Sequence, residues 1–184
     1  VEIEVEASGP AEGPVTDAKA EALALSQASQ ALDTLGKTLK GRLQAEMSAN
    51  GLLAAANVCA DEAQALTAQV KAETGVDVGR TSLKLRNPAN AGPDWATAWL
   101  TELGDVPAAQ VTPSSEIAGD TARILRPLAA DPSCLMCHGT TRPPELQAFL
   151  DERYPQDQAV DYAAGDLRGA MWASAPIDRA TPGG

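Results

Sequence analysis

Histidine is almost missing from this chain. Its 184 residues include one, His138, so a bis-histidine iron site or a catalytic histidine pair is excluded within a single chain. Cysteine is scarce and odd in number: Cys59, Cys134 and Cys137. Three thiols do not make the disulfide framework of a small secreted scaffold. Aromatic residues number six (three Trp, two Tyr and one Phe), so a core must rest on Ala, Leu and Val, and a bulky bound group would supply missing volume. Basic residues are in deficit, 14 against 25 acidic, for a net charge of −11. That excludes a nucleic-acid partner, which needs clustered Lys and Arg. The acidity suits solubility and would also orient a basic protein partner. There is no apolar run of 18 or more residues, so no membrane-spanning helix is expected.

What remains is 44% hydrophobic, enough for one folded domain with a helical appendage. Residues 1–15 read as a flexible lead. Residues 16–48 lack proline and are rich in Ala, Leu, Gln, Lys and Glu, which predicts a long helix with Thr16 as N-cap. A domain over 49–180 follows. Its first helix is expected at about 50–74, ended by Gly75. In it Leu52, Ala56, Cys59, Ala63, Leu66 and Val70 form one apolar stripe, so Cys59 faces whatever the helix packs against.

Beyond Gly75 the texture changes. "RTSLKLR" (80–86) alternates like a strand, "NPANAGP" (87–93) is turn chemistry shaped by Asn87 and Asn90, and "DWATAWLTEL" (94–103) reads as a helix capped by Asp94. "TARILRPLA" (121–129) reads as a strand, "PPELQAFLDERY" (143–154) as a short helix, and "GDLRGAMWASAPI" (165–177) as a turn at Asp166 and a last strand. Helices precede short strands without βαβ alternation, which predicts an α+β domain with an antiparallel sheet and a long N-terminal helix.

"SCLMCHG" (133–139) holds the one histidine behind two cysteines. C-x-x-C-H is the attachment signature of c-type haem. On one helical turn Cys134 and Cys137 can each form a thioether while His138 reaches the iron. A Cys₃His zinc site would need the adjacent Cys137 and His138 to share one tetrahedral ion. A thioredoxin-like CxxC would want a βαβ context, and a 134–137 disulfide would close too small a loop to stabilise much. One covalently attached haem c is therefore expected, and with it an exported, periplasmic or otherwise extracytoplasmic protein whose signal peptide has been removed. The Gly/Pro-rich stretch after His138 and the strands in the middle of the chain argue against a four-helix cytochrome bundle.

The second face of the iron has several candidates. Cys59 is one, against the alternative of a buried small hydrophobe. Met171 would give the His/Met pattern of electron carriers. An open site is a third. Arg80, Lys84 and Arg86, sharing one face of a strand, could pair with haem propionates. Trp95 and Trp99 read as core. No acid/base pair or nucleophilic triad is visible, so an enzyme is not expected.

"CADEAQAL", "VGRTSLKLRNPANAGPDWA", "CLMCHG" and "LDERYPQDQAVDYAAGDLRGA" occur in that order. Together they resemble a bacterial family of c-type haem domains with a PAS-like fold, typified by a cyanobacterial haem protein, over about residues 50–177. The resemblance implies thioether attachment, His138 as one axial ligand and a thiolate, at Cys59, as the other. It also implies redox or diatomic-gas (NO or CO) sensing and an unidentified redox or signalling partner. A thiolate pushes electron density onto iron, so a low potential and a thiolate that leaves on reduction are expected. The alternative function is a periplasmic electron-transfer cytochrome with Met171 as sixth ligand. The long N-terminal helix offers a route to a homodimer.

Overall fold

The computed structural model describes residues 13–179, with side chains from residue 17 onward. Most of the expected lead, residues 1–12, lies outside the described residues. Helix α1 (Gly13–Asn50) starts earlier than expected, so Thr16 lies inside it and is not its N-cap. Its buried residues, Ala24, Ala28, Ala31, Leu32 and Leu35, repeat at helical spacing and form one stripe. Small side chains let the helix lie close to the sheet, joining Val76, Val78, Ala122, Ile124, Ala173, Ala175 and Ile177 in the principal core. The far half of α1 packs on the helices that follow.

Those helices are not one continuous rod. Gly51, at φ +87°, separates α1 from α2 (Leu52–Asn57). A single π turn (Val58–Glu62), closed by Ala63 N–H donating to Val58 O, then leads into α3 (Ala63–Thr74). Gly75, left-handed at φ +70°, ends α3 as its composition predicts. The apolar stripe is therefore split. Leu52 and Ala56 pack with Leu146 and Leu150, whereas Val70 packs into the sheet core.

The sheet has four antiparallel strands in the order β1–β4–β3–β2: β1 (Asp77–Thr81), β2 (Ser114–Ala118), β3 (Thr121–Ala129) and β4 (Leu167–Pro176). The long central strands β3 and β4 pair along their length. Pro127 sits in β3 beyond Leu125, where its pairing with β2 stops, so its missing N–H breaks no bond to β2. On the face away from α1, helix α4 (Asp94–Leu103) adds Ala96 and Leu100 to Leu125 and Ala170, with Trp95, Trp99 and Trp172 around them. Trp95 and Trp172 meet edge to face at 6.0 Å. The two helix tryptophans are thus core residues on this face, and Asp94 is the first residue of α4, after Pro93 at the N-cap position.

The strand expected over 80–86 is corrected. β1 ends at Thr81 because the next residues leave the ladder, bonding to β4 through a side chain and then to a loop. Ser82 Oγ donates to Arg168 O at 2.7 Å, and Leu85 O accepts from Gln158 N–H at 3.0 Å. The molecule is otherwise the α+β arrangement its patterning predicts, an antiparallel sheet with flanking helices and a long N-terminal helix. Two short helices complete it: α5 (Leu135–His138) and α6 (Pro144–Arg153).

Candidate functional site

The C-x-x-C-H residues occupy one tight turn. A 3-10 turn (Pro132–Cys134) runs directly into α5, which carries Cys137 and His138. Gly139 closes it by donating to Leu135 O at 2.9 Å. A Cβ on Gly139 would lie 2.6 Å from that same carbonyl oxygen, so the residue after the histidine must be small. Among the described residues no two cysteines are joined by a disulfide.

A loop over residues 154–166 grips this turn from outside. Tyr162 N–H donates to His138 O at 3.0 Å, and Asp161 N–H to Gly139 O at 3.2 Å. Most telling is the imidazole: its Nδ1 lies 2.8 Å from Ala159 O. A carbonyl can only accept, so the proton is assigned to Nδ1 and the lone pair lies on Nε2, the nitrogen that can bind an electrophile. Burial, reinforced by the charges of Arg168 and then Arg86, brings the His138 pKa from its ordinary 6.5 down to about 3, against a smaller upward pull from Ala159. The imidazole is therefore neutral, the form in which histidine binds a metal.

The predicted cations divide. Arg86 is committed to the frame: Nε pairs with Asp157 at 2.9 Å, and Nη2 donates to Cys137 O at 2.7 Å and Ala159 O at 3.1 Å. Both partners of this ion pair are 13% exposed. Asp157 Oδ1 in turn accepts from Ala159 N–H at 2.9 Å. Lys84 donates to Val160 O and lies 4.2 Å above the Tyr162 ring. Arg80 differs, having no carboxylate partner among the described residues. Burial lowers its pKa, and the neighbouring Arg168 lowers it further against the opposing pull of Cys59. The three do not share a strand face, because only Arg80 is in β1.

Arg168 was not singled out in the sequence, although it stands in the "GDLRGA" segment. A register slip between Leu128 and Ala129 leaves it without an opposite residue on β3. Such a bulge re-aims a side chain, and Arg168 Nη1 comes to 3.4 Å from His138 Nε2. Its Nε is buried and has no hydrogen-bond partner. Gly169 beside it permits the bulge, since a Cβ there would sit 2.2 Å from Thr81 O.

Cys59 lies in the π turn. Its flanking residues Ala55, Ala56, Val58 and Ala63 are buried, but Cys59 itself is open to water. It nevertheless stands among enough protein that burial pushes its thiol pKa up, opposed by the charges of Arg80, Arg168 and Arg86. The same three arginines act on His138. The Cys137 thiol is also pushed up by burial, lowered by Arg86, and raised by Cys59 and Cys134. Cys137 packs on the cluster that contains Ala56 of α2. The same arginines thus lie near both Cys59 and His138, and Cys59 lies near enough to Cys137 to act on it. Met171 is placed elsewhere: it packs into the core under α1, its Sδ 3.9 Å from where a Cβ on Gly36 would lie. Among the described residues no three His, Cys, Asp or Glu side chains gather as a metal cluster. Asn87 caps a short turn by accepting from Ala89 N–H at 3.0 Å, Asn90 accepts from Gln64 at 2.6 Å, and Asp166 accepts from Ala163 N–H at 2.8 Å.

A solved structure, the crystal structure of the cyanobacterial haem protein Tll0287, has the same fold: TM-score 0.64 and 22% identity, over 85% of this chain and 97% of that one. No curated protein matches. The family model described as Tll0287-like matches residues 13–176, nearly the whole chain, including the π turn, all three cysteines and the bulged strand, and the chain belongs to that family.

Proposed function

We propose that this chain is a c-type haem protein, with one haem attached through Cys134 and Cys137 and its iron held by His138 and Cys59. The observation that carries this reading is the state of His138. Its Nδ1 proton is tied to Ala159 O, and its Nε2 faces Arg168, one of the three arginines whose charges also act on Cys59. The chemistry around His138 fits the group. Arg80 and Arg168 bring positive charge without carboxylate partners, and Arg168 Nε is buried and unbonded, as anchors for two propionates would be. A haem there would supply a one-electron iron couple and, with one axial position vacated, a binding site for a diatomic gas.

The protein's own residues set how that group would behave. Ala159 O makes the imidazole more electron-rich. Arg80, Arg168 and Arg86 favour the ionised form of Cys59, against its burial. This balance suits a thiolate that binds ferric iron and leaves on reduction, and hence a redox or NO/CO sensor. That the relative is a haem protein supports the haem and says nothing of sensing. Haem attachment at C-x-x-C-H occurs outside the bacterial cytoplasm, so the proposal carries an extracytoplasmic location and an unidentified redox or signalling partner.

Electron paramagnetic resonance of the ferric protein tests it. The expected spectrum is low-spin with thiolate ligation, lost in Cys59→Ala, which then binds CO or imidazole at the vacated position. A spectrum and Soret band unchanged by Cys59→Ala would sink the ligand assignment. Rapid reversible electron exchange with no CO or NO binding to the ferrous protein would instead establish the electron carrier.

A further inference from the structure

The helix carrying Cys59 is interrupted for one turn, and nothing in its composition forces this. Val58–Glu62 contains neither proline nor glycine. A π turn spends an extra residue and persists where tertiary contacts favour it, often at functional sites. Two ion pairs flank this one. Glu62, the last residue of the turn, accepts from Arg42 of α1 through both carboxylate oxygens, Nε at 2.8 Å and Nη2 at 2.9 Å. Arg42 is itself steadied by Glu46 one turn away, at 2.6 Å. Asp61, the preceding residue, pairs with Arg153 at the end of α6. Two neighbouring carboxylates are thus held by cations on two different helices. The apolar packing divides at the same place, with Ala56 in the α6 cluster and Ala63 and Val70 beyond the turn.

We propose that Arg42 and Arg153 are positioning residues which, through Glu62 and Asp61, clamp the π turn so that the Cys59 sulfur is held as the second axial ligand. The clamp rests on the ligation reading above. It acts through backbone placement: Arg42 and Arg153 hold the carboxylates of the turn, while the charges that lower the Cys59 thiol pKa belong to Arg80, Arg168 and Arg86. A straight helix would leave Cys59 on the stripe with the buried Ala56 and Ala63. The clamped turn leaves it proud of that stripe and exposed.

The test uses the haem-loaded full chain carrying Asp61→Asn and Glu62→Gln, which keep shape and remove both ion pairs. Ferric protein is titrated with imidazole while the thiolate signal is followed by electron paramagnetic resonance. Two exposed pairs together support about a five- to tenfold effect, so imidazole should displace the thiolate at a concentration lower by that factor. The charge-swapped pair Arg42→Glu with Glu62→Arg should lie closer to the parent than Arg42→Glu alone. Pairs that merely steady the fold would lower the melting temperature and leave the imidazole midpoint and g-values in place, and that result overturns the clamp. A parent spectrum indifferent to Cys59→Ala would instead remove the ligation reading, and the clamp with it.

Discussion

Near His138 and Cys59, single residues carry charge without a carboxylate of opposite sign among the described residues, and Arg80 states this most plainly. A guanidinium that is largely desolvated and lacks a carboxylate costs the fold free energy. Burial already pushes its pKa down. In the haem reading a propionate removes that cost. Arg80→Gln should therefore have opposite effects in two backgrounds. In a chain that cannot attach haem, with Cys134→Ser and Cys137→Ser, it should raise the melting temperature by about 2–4 °C. In the loaded protein it should lower it by a similar amount. Calorimetry of both pairs checks this, and a shift of the same sign in both would remove Arg80 from the site. The sequence made Arg80, Lys84 and Arg86 look equivalent. They separate because Lys84 and Arg86 are used by the loop that grips the C-x-x-C-H turn, at Val160 O, Cys137 O, Ala159 O and Asp157, and side-chain partners far along the chain leave no local pattern.

Elements were legible where one face is buried and hidden where the backbone departs from regularity. The strand read at 121–129 and the helix read at 94–103 match β3 and α4 residue for residue. β2 was missed because "SSEIA" buries none of its residues fully, so no period of two is written in it. The π turn was missed because the six stripe residues fit a plain α-helix equally well. The bulge at Arg168 was missed because one extra residue in a strand has no composition signal. Its glycine supplies a test. Gly169→Ala places a Cβ 2.2 Å from Thr81 O, so β1 or the bulge must shift, at a cost of about 2–3 kcal/mol. Gly41→Ala in α1 meets nothing within 4 Å and should stabilise by about 0.5–1 kcal/mol. Urea denaturation of both variants checks the contrast; a Gly169→Ala loss under about 0.5 kcal/mol would show that the bulge tolerates a side chain.

Across the whole molecule the charge is unevenly spent. The chain is strongly acidic, at −11, yet Arg80, Arg86 and Arg168 are drawn together, where their fields act on Cys59 and His138. Arg42 and Arg153 are taken up beside it by the carboxylates of the π turn. Cations turned inward leave the outer surface more negative than the composition alone implies. A net field of that sign speeds encounter with cationic partners, and salt screens it over about 8–10 Å at physiological ionic strength. Electron transfer from the reduced, haem-loaded protein to a small cationic oxidant should therefore slow by about tenfold or more between roughly 10 and 200 mM salt. Transfer to a neutral oxidant should hardly change, and transfer to an anionic one should quicken. Stopped-flow rates with the three oxidants decide it. Equal salt dependence for the cationic and neutral reagents would mean that the reacting edge lies where the inward arginines cancel the outer acidity, and the acidic surface would then have no part in choosing the partner.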